Sequence, residues 1–276
     1  FDVSGTITTP IAVADSIWID SENFYDEFGT NGIKYSINLP STNNFAFYCT
    51  QPNMSLNISN IWFHSLVGFA VSCTAKVSSF NRLRLTGSKG IKLDNTYICY
   101  VDDLECYCTD RGLEIVGDCS PTIRGGNYGA GNATYGAIYI STHAGKTSIS
   151  GSYLESQANP TVVANGCLDS AIFIYDYYDE NATTGCIKVI DSQTVHIDKV
   201  RTNTNTNSVV VSGNSVVHIA GIVPVDRIEN GKCVDIVGDS PVVTIAGLTH
   251  AYRTGSTPDN RDYSIVSGII SGPKVK

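Results

Sequence analysis

The sequence predicts an all-β fold, a single-stranded right-handed parallel β-helix (solenoid) of about nine or ten coils of 22 to 26 residues. Three observations predict it. Strand-like words recur along most of the chain, a second set of words follows the first at a near-constant offset, and no stretch repeats its apolar residues with a 3.6-residue period.

The first set runs FAFYCTQ, FAVSCTA, IKLDNTY, LEIVGDC, IYISTHA, VVANGCL, IKVIDSQ, VVVSGNS and VDIVGDS. Each alternates apolar and other residues and then meets Gly, Asp, Asn or Ser, the residues that turn a chain. Taking Phe47, Val71, Leu93, Ile115, Ile140, Val163, Val189, Val211 and Ile236 as equivalents gives steps of 22 to 26 residues. The second set, from YICYVDD to VVTIAGL, steps likewise through Val101, Ile123, Ile149, Ile174, Ile197, Ile219 and Ile245. Two strand signals per repeat travelling in phase describe a coil of parallel strands, and parallel crossovers are almost always right-handed. Leucine-rich repeats share the period, but their Leu pattern and fixed Asn are missing.

Three regions follow. Residues 1–44 form an N-terminal cap and first coil, with DSENFYDEFGTNG (20–32) as a loop or short helix over it. Residues 45–250 form the β-helix. Residues 251–276 supply a charged loop and a capping strand, SIVSGII, because an uncapped solenoid would expose strand edges. The chain lacks an initiator Met and is expected to be a fragment or a processed chain, with terminal domains missing.

Composition narrows the partners. At 276 residues and 42% hydrophobic content the chain can bury a real core. A net charge of −8 with 16% charged residues disfavours nucleic acid, which needs clustered Lys and Arg. No stretch is long and apolar enough to insert in a membrane. The nine cysteines cannot all pair within one chain, and Cys106 and Cys108 are a close pair without a second half or a His at ligand spacing. They read as small buried hydrophobes in a reducing compartment, and no metal or cofactor is expected.

Coil length, strand words and Asn/Ser/Gly-rich turns over roughly residues 45–250 resemble the bacteriophage tailspikes and capsule depolymerases of the pectate-lyase-like β-helix superfamily. The resemblance implies a homotrimer on the virion tail, made in the host cytoplasm and acting at the bacterial surface. It implies binding, and usually cleaving, capsule or O-antigen polysaccharide, with other tail or baseplate proteins joined through the terminal domains. The GHG, NTD and DD blocks of polygalacturonases are absent, and SIWIDS (16–21) does not continue into a pectate-lyase signature.

With the second-series reference residues inward, their neighbours point outward in stacked pairs: Tyr100 with Asp102, Thr122 with Arg124, Ser148 with Ser150, Phe173 with Tyr175, His196 with Asp198. Tyr153 and Tyr178 each lie four residues past their reference, and Glu155 and Glu180 six past, so adjacent coils superpose Tyr on Tyr and Glu on Glu. Carboxyl groups one strand spacing apart suit a retaining glycosidase, and Asp176 or Asp179 with Glu155 would suit the wider spacing of an inverting one. Glu155, Asp176, Asp179 and Glu180 are the candidate catalytic residues. Arg124, Tyr128, Tyr153, Tyr175, Tyr178 and Arg201 are candidate substrate-binding residues, tyrosines for sugar faces and arginines for an acidic sugar. The same acids read equally as solvated turn residues. His196 and His218 stack without a third metal ligand in register. Hydrolysis, lyase elimination and binding without cleavage all remain open at the level of sequence.

Overall fold

The computed structural model describes residues 5–6, 11–13, 15–20, 36–38, 45–155, 159–180, 186–203, 207–224, 234–238, 240–246 and 269–271. Within these, the side chains of 153–155, 177–180, 202–203 and a few residues elsewhere lie outside the description. Every described strand pairs in parallel, and no described residue is helical. The fold is a parallel β-solenoid of about seven turns. Its body runs from Ser55–Ser59 to Val209–Ser212, and strands at either end continue the stack. The nine or ten coils of the sequence reading include those end strands.

Each coil has three faces. In one coil they are Pro121–Arg124, Asn127–Ala130 and Ile138–Ser141; in the next, Lys146–Ser150, Tyr153–Glu155 and Val162–Asn165. Each strand lies on its counterpart one coil away, roughly 4.8 Å along the axis.

The corners explain the turn residues. Between the first and second faces the residue after each strand row adopts positive φ: Asn60, Arg82, Asp103, Gly125, Gly151, Asp176 and Lys199. After the third face the same holds for Asn95, Gly117, Thr142, Gly166, Asp191, Gly213 and Gly238. Gly, Asn and Asp tolerate this left-handed conformation, so their recurrence once per coil sets where the strands bend. Arg82, Thr142 and Lys199 lack that tolerance; the first two are held by amide bonds to the next coil, to Asp102 O at 3.0 Å and Asn165 O at 3.3 Å. At Gly213 a second demand applies, since a Cβ there would collide with Asp191 Oδ1, the oxygen that accepts from the Asn214 amide.

The first-face inward column is Ile19, Ile58, Phe80, Val101, Ile123, Ile149, Ile174, Ile197, Ile219 and Ile245, each in register with the next. This is the second series of words extended three coils toward the N-terminus. Ile19 is partly buried and the other nine are buried. Burying one such side chain contributes about 1.5–3 kcal/mol.

The first series needs two corrections. Leu93 pairs with Cys73, while Val71 pairs with Ile91. Ala164, not Val163, continues the column of Ile140 and Val189. A period of two leaves registers that differ by two residues equally acceptable, and three apolar residues in a row hide the parity. Ladder hydrogen bonds decide both. Val163 stands in the outward row of Tyr139 and Lys188 yet is fully buried, with Gly136 of the preceding coil against its Cγ2.

The eight described cysteines are free and buried, as expected of small hydrophobes; Cys233 lies outside the described residues. Burial pushes the Cys73 thiol up to about 12 and that of Cys119 to about 11. Residues 21–35 and 247–268 also lie outside the described residues, but Ile269–Ser271 stacks in parallel on Val242–Thr244.

His143 is a core residue. Its Nδ1 lies 3.0 Å from Gly117 O, and its Nε2 3.0 Å from Thr147 Oγ1. A carbonyl only accepts, so Nδ1 carries a proton and donates it to Gly117 O. Burial lowers its pKa. The unfolded chain therefore takes up a proton that the folded chain resists, and stability present above about pH 6.5 is lost as pH falls below it. His143→Gln should flatten the decline in unfolding free energy between pH 7.5 and 5.5. Ile149→Ala, in the inward column, should cost about 2–5 kcal/mol by denaturant unfolding, whereas Ser148→Ala beside it should cost far less.

Candidate functional site

Because coils stack in register, outward side chains form rows along the solenoid. On the first face one row carries Tyr100, Thr122, Ser148, Phe173, His196 and His218. The row beside the corner carries Asp102, Arg124, Ser150, Tyr175 and Asp198. These are the pairs the alternation predicts. The first row packs against itself: the Phe173 and His196 rings stack at 5.0 Å and 8°, and His196 meets His218 edge-on at 5.7 Å. Lys146 places its ammonium 5.2 Å from the Phe173 ring centre.

Arg124 is exposed and grips Asp102 with two of its three guanidinium nitrogens, Nε to Oδ1 at 2.8 Å and Nη2 to Oδ2 at 3.1 Å. That carboxylate holds the guanidinium pKa above its usual range. Arg124 thus pairs with an acid one coil below. Tyr175 is exposed, and its phenol oxygen accepts a hydrogen bond from Ser148 Oγ at 3.2 Å. This bond, with a second from Ser150 and the charges of Lys146 and Arg124, lowers the Tyr175 pKa.

Past the corner, on the second face, register brings the predicted residues together. Tyr153 pairs with Tyr178, and Tyr178 with the exposed Arg201. Glu155 pairs with Glu180, and Glu180 with Asn203. Asp179 lies in a different row, with Leu154 below it and Thr202 above. Asp176 is exposed at the corner itself, with φ 51°, and its carbonyl accepts from the Gly151 amide at 2.8 Å. Side chains of Tyr153, Glu155, Tyr178, Asp179 and Glu180 lie outside the described residues.

Tyr128 is a correction. It is fully buried, in register with Cys106 and Leu154, and burial drives its phenol pKa well above the ordinary value. The corner at Gly125 and Gly126 restarts the alternation and turns the ring into the core, so it does not meet a substrate at the surface.

Two outward features escaped the sequence reading. Arg111 packs its guanidinium 3.9 Å from the Tyr135 ring centre and 3.0 Å from Glu114 Oε2, tying the bend at residues 132–136 to the third face. The other is Trp18, on the strand Ile17–Asp20 and 75% exposed beside a groove. Extending the second series below Val101 through Phe80 and Ile58 to Ile19 would have placed it. Among the described residues no three His, Cys, Asp or Glu side chains gather as a metal site.

No known protein family, curated protein or solved structure matches the chain. What the architecture defines is a class: the chain is a parallel β-solenoid, consistent with the β-helix superfamily.

Exposed ion pairs are screened by water and salt and contribute little. Asp102→Asn should therefore leave the thermal unfolding midpoint where it is by calorimetry, despite breaking the bidentate contact with Arg124.

Proposed function

We propose that the chain is a tailspike-type solenoid that binds bacterial surface polysaccharide, capsule or O-antigen, and cuts it by glycosidic hydrolysis. The observation that carries this reading is the register of Glu155 on Glu180 and of Tyr153 on Tyr178. Backbones one strand spacing apart, roughly 4.8 Å, put two carboxyl groups within reach of the ~5–5.5 Å separation of retaining glycosidases. Two like charges at that range raise one pKa, so one acid is held protonated to donate to the leaving oxygen while the other attacks the anomeric carbon; water, deprotonated by the first, then releases the sugar from the second. Tyr153 and Tyr178 would hold a sugar face, and Arg201, in register with Tyr178, would hold an acidic substituent. For an inverting course Asp176, exposed at the corner, is the alternative partner of Glu155, since Asp179 stands in the row of Leu154 and the buried Tyr128. A homotrimer on a virion tail, with the solenoids side by side, belongs to the same proposal.

Elimination is the second reading, and Tyr175 favours it. Its phenol is exposed beside the corner and held by the Ser148 hydroxyl, where it would serve as a base that removes the proton next to a uronate carboxylate as the glycosidic oxygen leaves from the neighbouring carbon.

Purified capsules and O-antigens incubated with the protein, followed by reducing ends and by the ultraviolet absorbance of unsaturated uronates, separate these readings. New ends without that absorbance are expected. Glu155→Gln and Glu180→Gln should each lower turnover by about 10²–10⁴-fold while polysaccharide retention survives. Full turnover in both variants would remove the pair from catalysis, both signals together would mean elimination, and retention without new ends would make this a binding segment.

A further inference from the structure

We propose that the groove beside Trp18 is a second glycan subsite, one that takes a neutral hexopyranose ring. The proposal rests on the polysaccharide-binding reading above and adds a place and a sugar class to it.

The groove has a volume of about 310 Å³ and is lined by Trp18, Asn57, Ile58, Ser59, Ser79 and Asn81. Register builds it: Trp18 pairs with Asn57 and Asn57 with Ser79, while Ser59 and Asn81 pair in the row beside the corner. Trp18 is 75% exposed, far more than a large apolar ring needs for packing on its own fold. An open indole face next to amides and hydroxyls matches a pyranose, which offers an apolar C–H face and a rim of hydroxyl groups. The charge pattern selects a neutral sugar. Among the described residues no Lys or Arg lines the groove, and the nearby Asp20 carboxylate is engaged, its Oδ1 accepting from Ser59 Oγ and Asn60 Nδ2, both at 2.7 Å.

Position links the groove to the proposed cleavage site. Trp18, Asn57, Ser79, Tyr100, Thr122 and Ser148 form one continuous outward row. Five strand spacings, roughly 24 Å, separate Trp18 from the coil that carries Glu155. A polymer lying along the axis would reach both places, so the groove would anchor the chain while bonds are cut farther along the solenoid.

The chain has two tryptophans, and Trp62 is half-buried with its Nε1 donating to Thr86 Oγ1 at 3.2 Å. Trp62→Phe therefore leaves Trp18 as the sole reporter. Titration of that variant with gluco-, galacto- and manno-configured hexasaccharides should give a saturable emission shift for at least one of them, and none with the corresponding oligouronates. Trp18→Ala should weaken retention of that hexasaccharide about tenfold. An emission that ignores every neutral hexasaccharide, while the protein still retains polysaccharide, would overturn the subsite and leave the proposed function standing. Loss of both would overturn both. An emission shift that follows protein concentration instead of sugar would assign Trp18 to a contact between copies of the chain and overturn the subsite as well.

Discussion

The backbone ladder between one coil and the next governs everything else in this molecule. Each strand lies in register on its counterpart, so a residue's neighbours along the axis are its equivalents one repeat away. From that constraint follow a continuous apolar column inside, rows of side chains outside, and two columns of left-handed corner residues that keep the coils aligned. A single coil cannot bury its inward residues, and stacking closes the core layer by layer.

The same ladder decides what kind of surface the solenoid offers. Sites on it are stripes and not pits: a chemical group is repeated, or opposed, at intervals of one strand spacing. Phe173, His196 and His218 make an aromatic stripe, Asp102 and Arg124 a charge pair across two coils, and Trp18 with Asn57 and Ser79 a neutral polar groove. Polymers are the ligands whose own repeat such a surface can follow. The corner between the first and second faces joins Tyr175 and Asp176 to the strands of Glu155 and Glu180, so the proposed chemistry and binding would share one edge.

Much of the architecture was legible because the second series is strict. One buried β-branched or aromatic residue per coil, flanked by outward ones, carries both period and parity, and counting onward from Ile149 and Ile174 gave the registers of Tyr153 with Tyr178 and Glu155 with Glu180. That count succeeded because both coils turn the corner with the same number of residues. It failed for Leu93, where the preceding coil is two residues shorter and carries register shifts near Gly87, and for Val163, where parity was hidden. Tyr128 was misplaced because a left-handed corner resets the alternation, and proximity in sequence to Arg124 says nothing about which side the ring takes.

The sequence by itself determined the all-β solenoid, the repeat length, the first-face column and the outward rows beside it, since alternation and turn residues are local properties that recur. Only the tertiary structure decided the exact pairing across irregular coils, the burial of Tyr128 and Val163, the commitment of Arg124 to Asp102, and the groove at Trp18. Those depend on hydrogen bonds and contacts between residues twenty or more positions apart, which no local pattern specifies.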